Sequence, residues 1–160
     1  MGSVTDQGRT VESVRRANLG SILRIVHREG PQSRAALTES TGLNRSTVAD
    51  LVGSLVSFGL VAERAPDPSR RVGRPSPVVA VDPAVVAIAV NPEVDALEIA
   101  AVGLDRDIRA VVVLPQDHLL TPQATADLVA EQVATWRRGE LAGSRILGVG
   151  LAVPGLVRIE

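Results

Sequence analysis

Five neighbouring side chains have the chemistry needed to bind the edges of base pairs. An arginine donates to guanine, a carboxylate accepts from the amino group of cytosine, and hydroxyl groups bond to bases or phosphates. A small residue among them lets the backbone come close to a groove. These chemistries occur together at Arg45, Ser46, Thr47, Ala49 and Asp50. We therefore expect these residues to bind the major groove of DNA, with Ser46 or Thr47 on phosphate.

Asp50 is the exception within this group. Its carboxylate would repel phosphate unless it accepts a hydrogen bond from a cytosine amino group or from a neighbouring arginine. The sequence leaves both possibilities open.

Two short helices joined by a tight turn are predicted for residues 33–59. Asn44 stands where a helix N-cap is needed, and a Gly42-Leu43 corner precedes it. The second helix then buries one apolar face, Val48, Leu51, Val52 and Leu55, and leaves Arg45, Ser46, Ala49 and Asp50 pointing away from it. Three residues at the helix starts, Ser33, Arg34 and Asn44, are further candidate DNA contacts. An ordinary helical hairpin within a core is the alternative interpretation.

A second basic segment follows these helices. Residues 60–64 and 77–81 resemble two strands of a hairpin, and residues 65–76 between them are rich in Pro, Gly, Ser and Arg. A three-helix unit followed by such a hairpin is typical of a winged helix-turn-helix. The tip would insert cations into a narrow minor groove through Arg70, Arg71, Gly73 and Arg74, with Gly73 allowing close approach. A basic interdomain linker is the alternative.

Charge is distributed unevenly along the 160 residues. Residues 1–81 contain 11 arginines and 7 acidic residues, a net +4, whereas residues 82–160 contain 6 arginines and 11 acidic residues, a net −5. DNA binding requires a basic face, not a basic protein, so the first half is the candidate. The chain has no cysteine, which excludes disulfides and thiolate sites within it. Its apolar runs are too short to span a bilayer, and we expect a cytoplasmic, nucleoid-associated protein without a membrane partner.

The remaining elements are predicted from periodicity. Residues 1–10 are expected to be a flexible tail, followed by an amphipathic helix over 11–29 with Thr10 as a possible N-cap. Three strands are predicted at 84–90, 96–104 and 108–114, then a helix from Thr121 and Pro122 to Arg138, and a strand at 146–153. Strands, a helix and another strand indicate the beginning of an α/β domain.

The ordered motifs resemble one known family. The stretch LGSILRIVHREGPQSRAALTESTGLNRSTVADLVGSLVSFGLVAE, the wing RRVGRPSPVVAVDP and the later run ILGVGLAVPGLV are similar to ROK-family transcriptional regulators. The resemblance implies an α+β winged helix-turn-helix domain at 11–82, followed at 83–160 by an incomplete α/β lobe of the actin-like ATPase (sugar-kinase-like) fold. Because the resemblance implies that a ROK protein needs roughly twice more sequence to close its sugar cleft and second lobe, we expect either a fragment of a longer regulator or a partner chain over the open face.

The same resemblance implies a function. We expect a dimeric regulator, a repressor in the first instance, that binds a double-stranded DNA operator of carbohydrate-related genes. A sugar effector is expected only if a longer chain supplies the cleft.

A sugar kinase and a protein-binding module are the two alternative functions. In kinases of this family a glycine-rich turn holds ATP phosphates through backbone amides. The corresponding turn here is Asn91–Asp95, with a proline, two carboxylates and no glycine. We therefore expect no enzyme activity and no cofactor. A winged helix that binds a protein instead of DNA is the remaining alternative, and weak salt dependence of DNA binding would favour it.

Overall fold

The chain folds into two compact units, Met1–Asp82 and Pro83–Glu160. The computed structural model describes residues 4–65 and 77–152, with side chains from residue 11 onward. Within these ranges none of the helices is both long and apolar enough to cross a bilayer.

Three helices form most of the first unit: α1 (Val4–Glu29), α2 (Arg34–Thr41) and α3 (Arg45–Ser57). All three pack against one another. The four apolar residues predicted for the second helix of the pair are all buried, at 0–2% exposure. They meet Ile22 and Val26 of α1 and Leu37 of α2, which are equally buried, in the interior of the unit. The predicted helical pair is therefore confirmed.

The predicted start of the first helix is wrong. Residues 4–10 form the first turns of α1, so they are not a flexible tail, and Thr10 lies inside the helix and not at its N-cap. The segment contains no proline and only one glycine, Gly8. Extending an existing helix costs little because each added residue brings its own hydrogen bond, so the polar composition does not stop it.

A small antiparallel sheet completes the first unit. It consists of β1 (Gln32–Ser33), β2 (Val61–Arg64) and β3 (Val78–Val81), in the order β1-β3-β2. The two predicted hairpin strands are confirmed within a residue. Strand β1 was not predicted, because two residues carry no periodic pattern and only their pairing with β3 makes them a strand.

The second unit is a mixed sheet with one helix. Its strands are β4 (Val85–Pro92), β5 (Ala96–Gly103), β6 (Ile108–Pro115) and β7 (Arg145–Leu151), in the order β6-β5-β4-β7. The first three form the predicted antiparallel meander, and β7 lies parallel to β4. Helix α4 (Pro122–Arg138) connects β6 to β7. It begins as predicted, with Thr121 as N-cap accepting from the Ala124 amide and Pro122 in its first turn.

The core of the second unit lies between α4 and one face of the sheet. Val129 and Trp136 of α4 are buried there with alternating residues of β4 and β5. The two outer strands of the described sheet expose apolar side chains, at Val111 and Val113 on β6 and at Leu147, Val149 and Leu151 on β7.

Candidate nucleic-acid interface

Local hydrogen bonds determine where α2 and α3 begin. Ser33 Oγ accepts from the Ala36 amide at 3.1 Å, and Asn44 Oδ1 accepts from the Thr47 amide at 2.8 Å. Both caps satisfy donors that a helix start leaves unpaired. Gly42, with φ of 68°, ends α2 in the left-handed region and donates its amide to the Thr38 carbonyl. Three residues, 42–44, therefore suffice for the turn between the helices.

The exposed side of α3 carries most of the predicted base-reading residues. Arg45, Ser46 and Asp50 are exposed, whereas Thr47 and Ala49 are half-buried. Ser46, Asp50 and Gly53 follow one another at helical spacing opposite the buried face. A Cβ added at Gly53 would meet no atom within 4 Å. Small residues on both sides of Asp50 thus leave open space along this ridge.

Two of the predicted contacts take part in the helix cap. Ser46 donates its hydroxyl hydrogen to Asn44 Oδ1 at 2.7 Å, and the same oxygen caps the helix. In this arrangement Asn44 and Ser46 orient each other and the first turn. Arg45 is exposed, and among the side chains described for residues 11–65 and 77–152 it forms no ion pair.

Asp50 is bound by an arginine from another helix. Arg15 of α1 donates from Nη1 to Asp50 Oδ2 at 2.5 Å and from Nη2 to Ser54 Oγ at 2.7 Å. Ser54 in turn donates to the Asp50 backbone carbonyl at 3.0 Å. The hydrogen bond that Arg15 donates to Asp50, together with the negative charge of Asp50, raises the pKa of Arg15. Of the two partners considered for Asp50 from sequence, the neighbouring arginine is the one present.

Arg15 was not among the predicted site residues. It is 35 positions from Asp50, and the amphipathic pattern of α1 shows only that Arg15 lies on the polar side. The carboxylate that needed a partner was a usable signal, but it did not indicate which arginine would supply it.

The candidates at the start of α2 have structural partners. Arg34 donates from Nε to Glu63 Oε1 at 2.7 Å, which connects α2 to β2. Ser33 is the N-cap of α2 and pairs with Val78 in the sheet. The Arg34 and Glu63 side chains are both partly exposed, so their ion pair contributes about 0–1 kcal/mol to the stability of the fold. Arg34 can therefore exchange Glu63 for another anion at little cost.

The basic segment of the predicted wing begins and ends at paired strands. Arg64 on β2 lies opposite Val78 on β3, so the connecting residues leave and re-enter the sheet side by side. The predicted contacts Arg70, Arg71, Gly73 and Arg74 lie outside the described residues, and their role stays a prediction.

Two donors of the turn at Asn91–Asp95, the Glu93 amide and the Asn91 side chain, are already hydrogen-bonded. The Glu93 amide donates to the Ala96 carbonyl at 2.8 Å, and Asn91 Nδ2 donates to Glu93 Oε1 at 2.9 Å. Pro92 has no amide hydrogen. Within the described ranges there is also no group of three or more His, Asp or Glu residues able to hold a metal ion.

Comparisons with known proteins identify relatives. No family model matches the chain. Over 148 residues, or 90% of the chain, it is 30% identical to a xylose repressor of Bacillus spizizenii and 28% identical to a xylose repressor of Bacillus subtilis. Those 148 residues span only 38% of each repressor, so the chain matches a little over a third of their length.

A solved structure has the same fold. It is described as a ROK-family transcriptional regulator homologous to the E. coli MLC protein, and it aligns with 90% of this chain at a TM-score of 0.65 and 18% identity, over 37% of its own length. The chain is thus similar in sequence to two xylose repressors over a little over a third of their length, and it shares the fold of the matching part of a ROK-family transcriptional regulator.

Proposed function

We propose that this chain is the DNA-binding part of a transcriptional repressor of carbohydrate-related genes. The observation that carries the proposal is the exposed side of α3, where Arg45, Ser46 and Asp50 face outward above a fully buried apolar face. A helix whose first turns expose polar and small side chains suits the major groove. The named function of the repressor relatives supports the same role. A repressor acts at the chromosome, so we assign it to the cytoplasm.

The hairpin β2–β3 extends this proposal to the minor groove. Residues 11–82 act as a winged helix-turn-helix whose wing carries Arg70, Arg71 and Arg74 between the paired ends Arg64 and Val78. Arginine side chains favour a narrow minor groove because negative potential is strongest there. Gly73 lets the wing backbone approach the groove.

The second unit has a different role in the proposal. Residues 83–160 form the first part of an actin-like ATPase (sugar-kinase-like) domain, consistent with its mixed sheet and single packed helix. The protein acts as a homodimer on a palindromic operator, with half-sites one helical turn, about 34 Å, or a multiple of it apart. A sugar effector requires a cleft that a longer chain would supply.

A kinase function is disfavoured by the turn between β4 and β5. A phosphate needs free backbone amides, and the Glu93 amide is already bonded to Ala96 across the turn. The Glu93 carboxylate beside it would repel phosphate. The regulatory function of the named relatives also supports a non-enzymatic role.

Selection from a random-sequence duplex pool tests the proposal. The purified chain is incubated with the pool at several salt concentrations, bound DNA is sequenced, and the Kd of the enriched site is measured against salt. We expect a palindromic site and a Kd that rises steeply with salt, by about 0.9 in the log–log slope for each phosphate contact. A scrambled duplex of the same composition is the control.

Two results would contradict the proposal. A folded chain that enriches no sequence is not a sequence-specific regulator by itself. Weak binding with little salt dependence would favour a winged helix that binds protein.

A further inference from the structure

We propose that Arg15 is a positioning residue that makes Asp50 read a cytosine in each half-site. This inference rests on the proposed DNA-binding function and adds to it one base preference and the residue that sets it. Two observations carry it: the position of Asp50 on the exposed ridge of α3, and its attachment to a different helix through Arg15.

The position of Asp50 lets it reach a base. Its side chain is 62% exposed and lies between Ser46 and Gly53 on the ridge, where a Cβ added at Gly53 would meet no atom within 4 Å. Beyond the first turn of α3, Asp50 is the only charged side chain of the helix. A carboxylate only accepts hydrogen bonds, and cytosine presents an amino donor in the major groove, whereas guanine presents two acceptors there.

Arg15 has two effects on the Asp50 carboxylate that would favour its binding to DNA. Its positive charge offsets the repulsion between Asp50 and the phosphates. Its two donor nitrogens also hold the side chain in one orientation, because Nη1 binds Asp50 Oδ2 while Nη2 binds Ser54 Oγ. Ser54 is itself attached to the Asp50 carbonyl, so the three residues form a closed network.

This network leaves one carboxylate oxygen for a ligand. Oδ2 accepts from Arg15, and among the side chains described for residues 11–65 and 77–152 none donates to Oδ1. Arg15 binds through two separate nitrogens of a rigid, planar guanidinium, a geometry that the single ammonium nitrogen of lysine does not reproduce. Arg15 thus acts through Asp50 and selects which oxygen is presented to the base.

A double-mutant cycle on the selected operator tests the inference. The variants are D50N, R15M and R15M/D50N, with R16M as matched control because Arg16 is the adjacent arginine of α1 and is exposed. For each, the Kd is measured for the operator and for the operator with the selected cytosine pair replaced. S54A tests the second anchor without changing charge.

We expect the wild-type chain and R16M to prefer cytosine at one position per half-site by about 5- to 150-fold. D50N should lose this preference, and R15M should reduce it several-fold. S54A should reduce it less. In the D50N background R15M should have no further effect on base preference, because Arg15 acts only through Asp50.

Several results would overturn the inference. A cytosine preference that survives D50N excludes Asp50 as the reader. An equal loss of affinity on R15M in both backgrounds, with a salt slope lowered by about 0.9, would show that Arg15 binds phosphate directly. Should R15M lower the thermal unfolding midpoint strongly, R15K replaces it, and full cytosine preference in folded R15K contradicts the two-point anchor.

Failure of the proposed function gives a different result. In that case the wild-type chain enriches no sequence, and both proposals fall. An enriched site without a cytosine preference that depends on Asp50 overturns only the role of Arg15 and Asp50.

Discussion

The two units each contain an arginine–aspartate pair, and the two pairs differ in burial. Arg15 and Asp50 lie on the surface of the helical unit, with side chains 41% and 62% exposed. Arg109 and Asp105 lie at the end of the β5–β6 hairpin in the sheet unit, with side chains only 25% and 28% exposed. Arg109 also donates to the Pro83 carbonyl at 3.2 Å, so it connects the hairpin to the start of its own unit.

The difference separates two uses of the same chemistry. A solvated pair contributes little to stability and can exchange partners, as an interface with DNA requires. A half-buried pair with additional hydrogen bonds holds a turn, because removing one partner leaves a poorly solvated polar group. The charge on the helical unit is therefore available for binding, and that on the hairpin is structural.

The largest expected effect comes from removing Arg109. Arg109→Met should lower the free energy of unfolding by about 1–3 kcal/mol, because Asp105 and the Pro83 carbonyl lose a charged donor. Urea denaturation followed by circular dichroism measures it. Operator affinity should stay within twofold. A change below about 0.3 kcal/mol would show that the half-buried pair is no more structural than the exposed one.

Removing a wing arginine should weaken operator binding and leave the free energy of unfolding unchanged, the opposite of Arg109→Met. Arg74→Ala should weaken operator binding by about 1–3 kcal/mol if this side chain enters the minor groove, with no change in unfolding. Titration of labelled operator measures the affinity, and Arg138→Ala, an exposed arginine at the end of α4, is the control. Unchanged affinity would contradict the wing assignment.

The cap of α3 should have an intermediate effect. Asn44→Ala removes the acceptor of the Thr47 amide and the partner of Ser46, which should cost about 1 kcal/mol of unfolding free energy. Asn44→Asp keeps an acceptor and should restore stability. Equal losses in both variants would show that the cap is not the cause.

Acid should weaken the half-buried pair of Arg109 and Asp105. Burial by itself raises the pKa of Asp105, but hydrogen bonds from Arg109 and the Asp107 amide, together with the charge of Arg109, lower it overall. A carboxyl whose pKa is lower in the folded state stabilises the fold above its unfolded pKa, about 3.9, and this stability is lost as pH falls through the folded value. Asp105→Asn should reduce the slope of unfolding free energy against pH below about 4. An unchanged slope would contradict it.

The smallest stability effect is expected at the exposed pair. Arg15→Met should change the free energy of unfolding by less than about 1 kcal/mol, since both side chains are solvated. Thermal unfolding in low and high salt measures it. A loss comparable to that of Arg109→Met would mean that the exposed pair is structural after all.

The elements near the candidate interface were predictable because their signals are local. The caps of α2 and α3 are bonds between a side chain and an amide three residues later, and the buried face of α3 follows from helical periodicity. The strands and helix of the second unit were predicted to within two residues for the same reason, since β4–β6 are alternating or apolar runs bounded by turns.

The two elements that the sequence did not predict, strand β1 and the start of α1, depend on residues distant from them in the chain. Strand β1 exists only because β3 pairs with it, and two residues, Gln32 and Ser33, are too few to show a strand pattern in the sequence. The start of α1 at Val4 reflects extension from a helix anchored further along at Ile22 and Val26, not a start signal of its own.

The sequence by itself determined which face of α3 is exposed and which side chains it offers, because helical periodicity and capping act over three or four residues. Only the tertiary structure decided that Asp50 is bound by Arg15 and Arg34 by Glu63. These partners are 35 and 29 positions apart, and several arginines were equally possible from the sequence. Helix packing brings Arg15 within hydrogen-bond distance of Asp50, and its positive charge offsets that of the carboxylate on the helix that we propose to bind DNA.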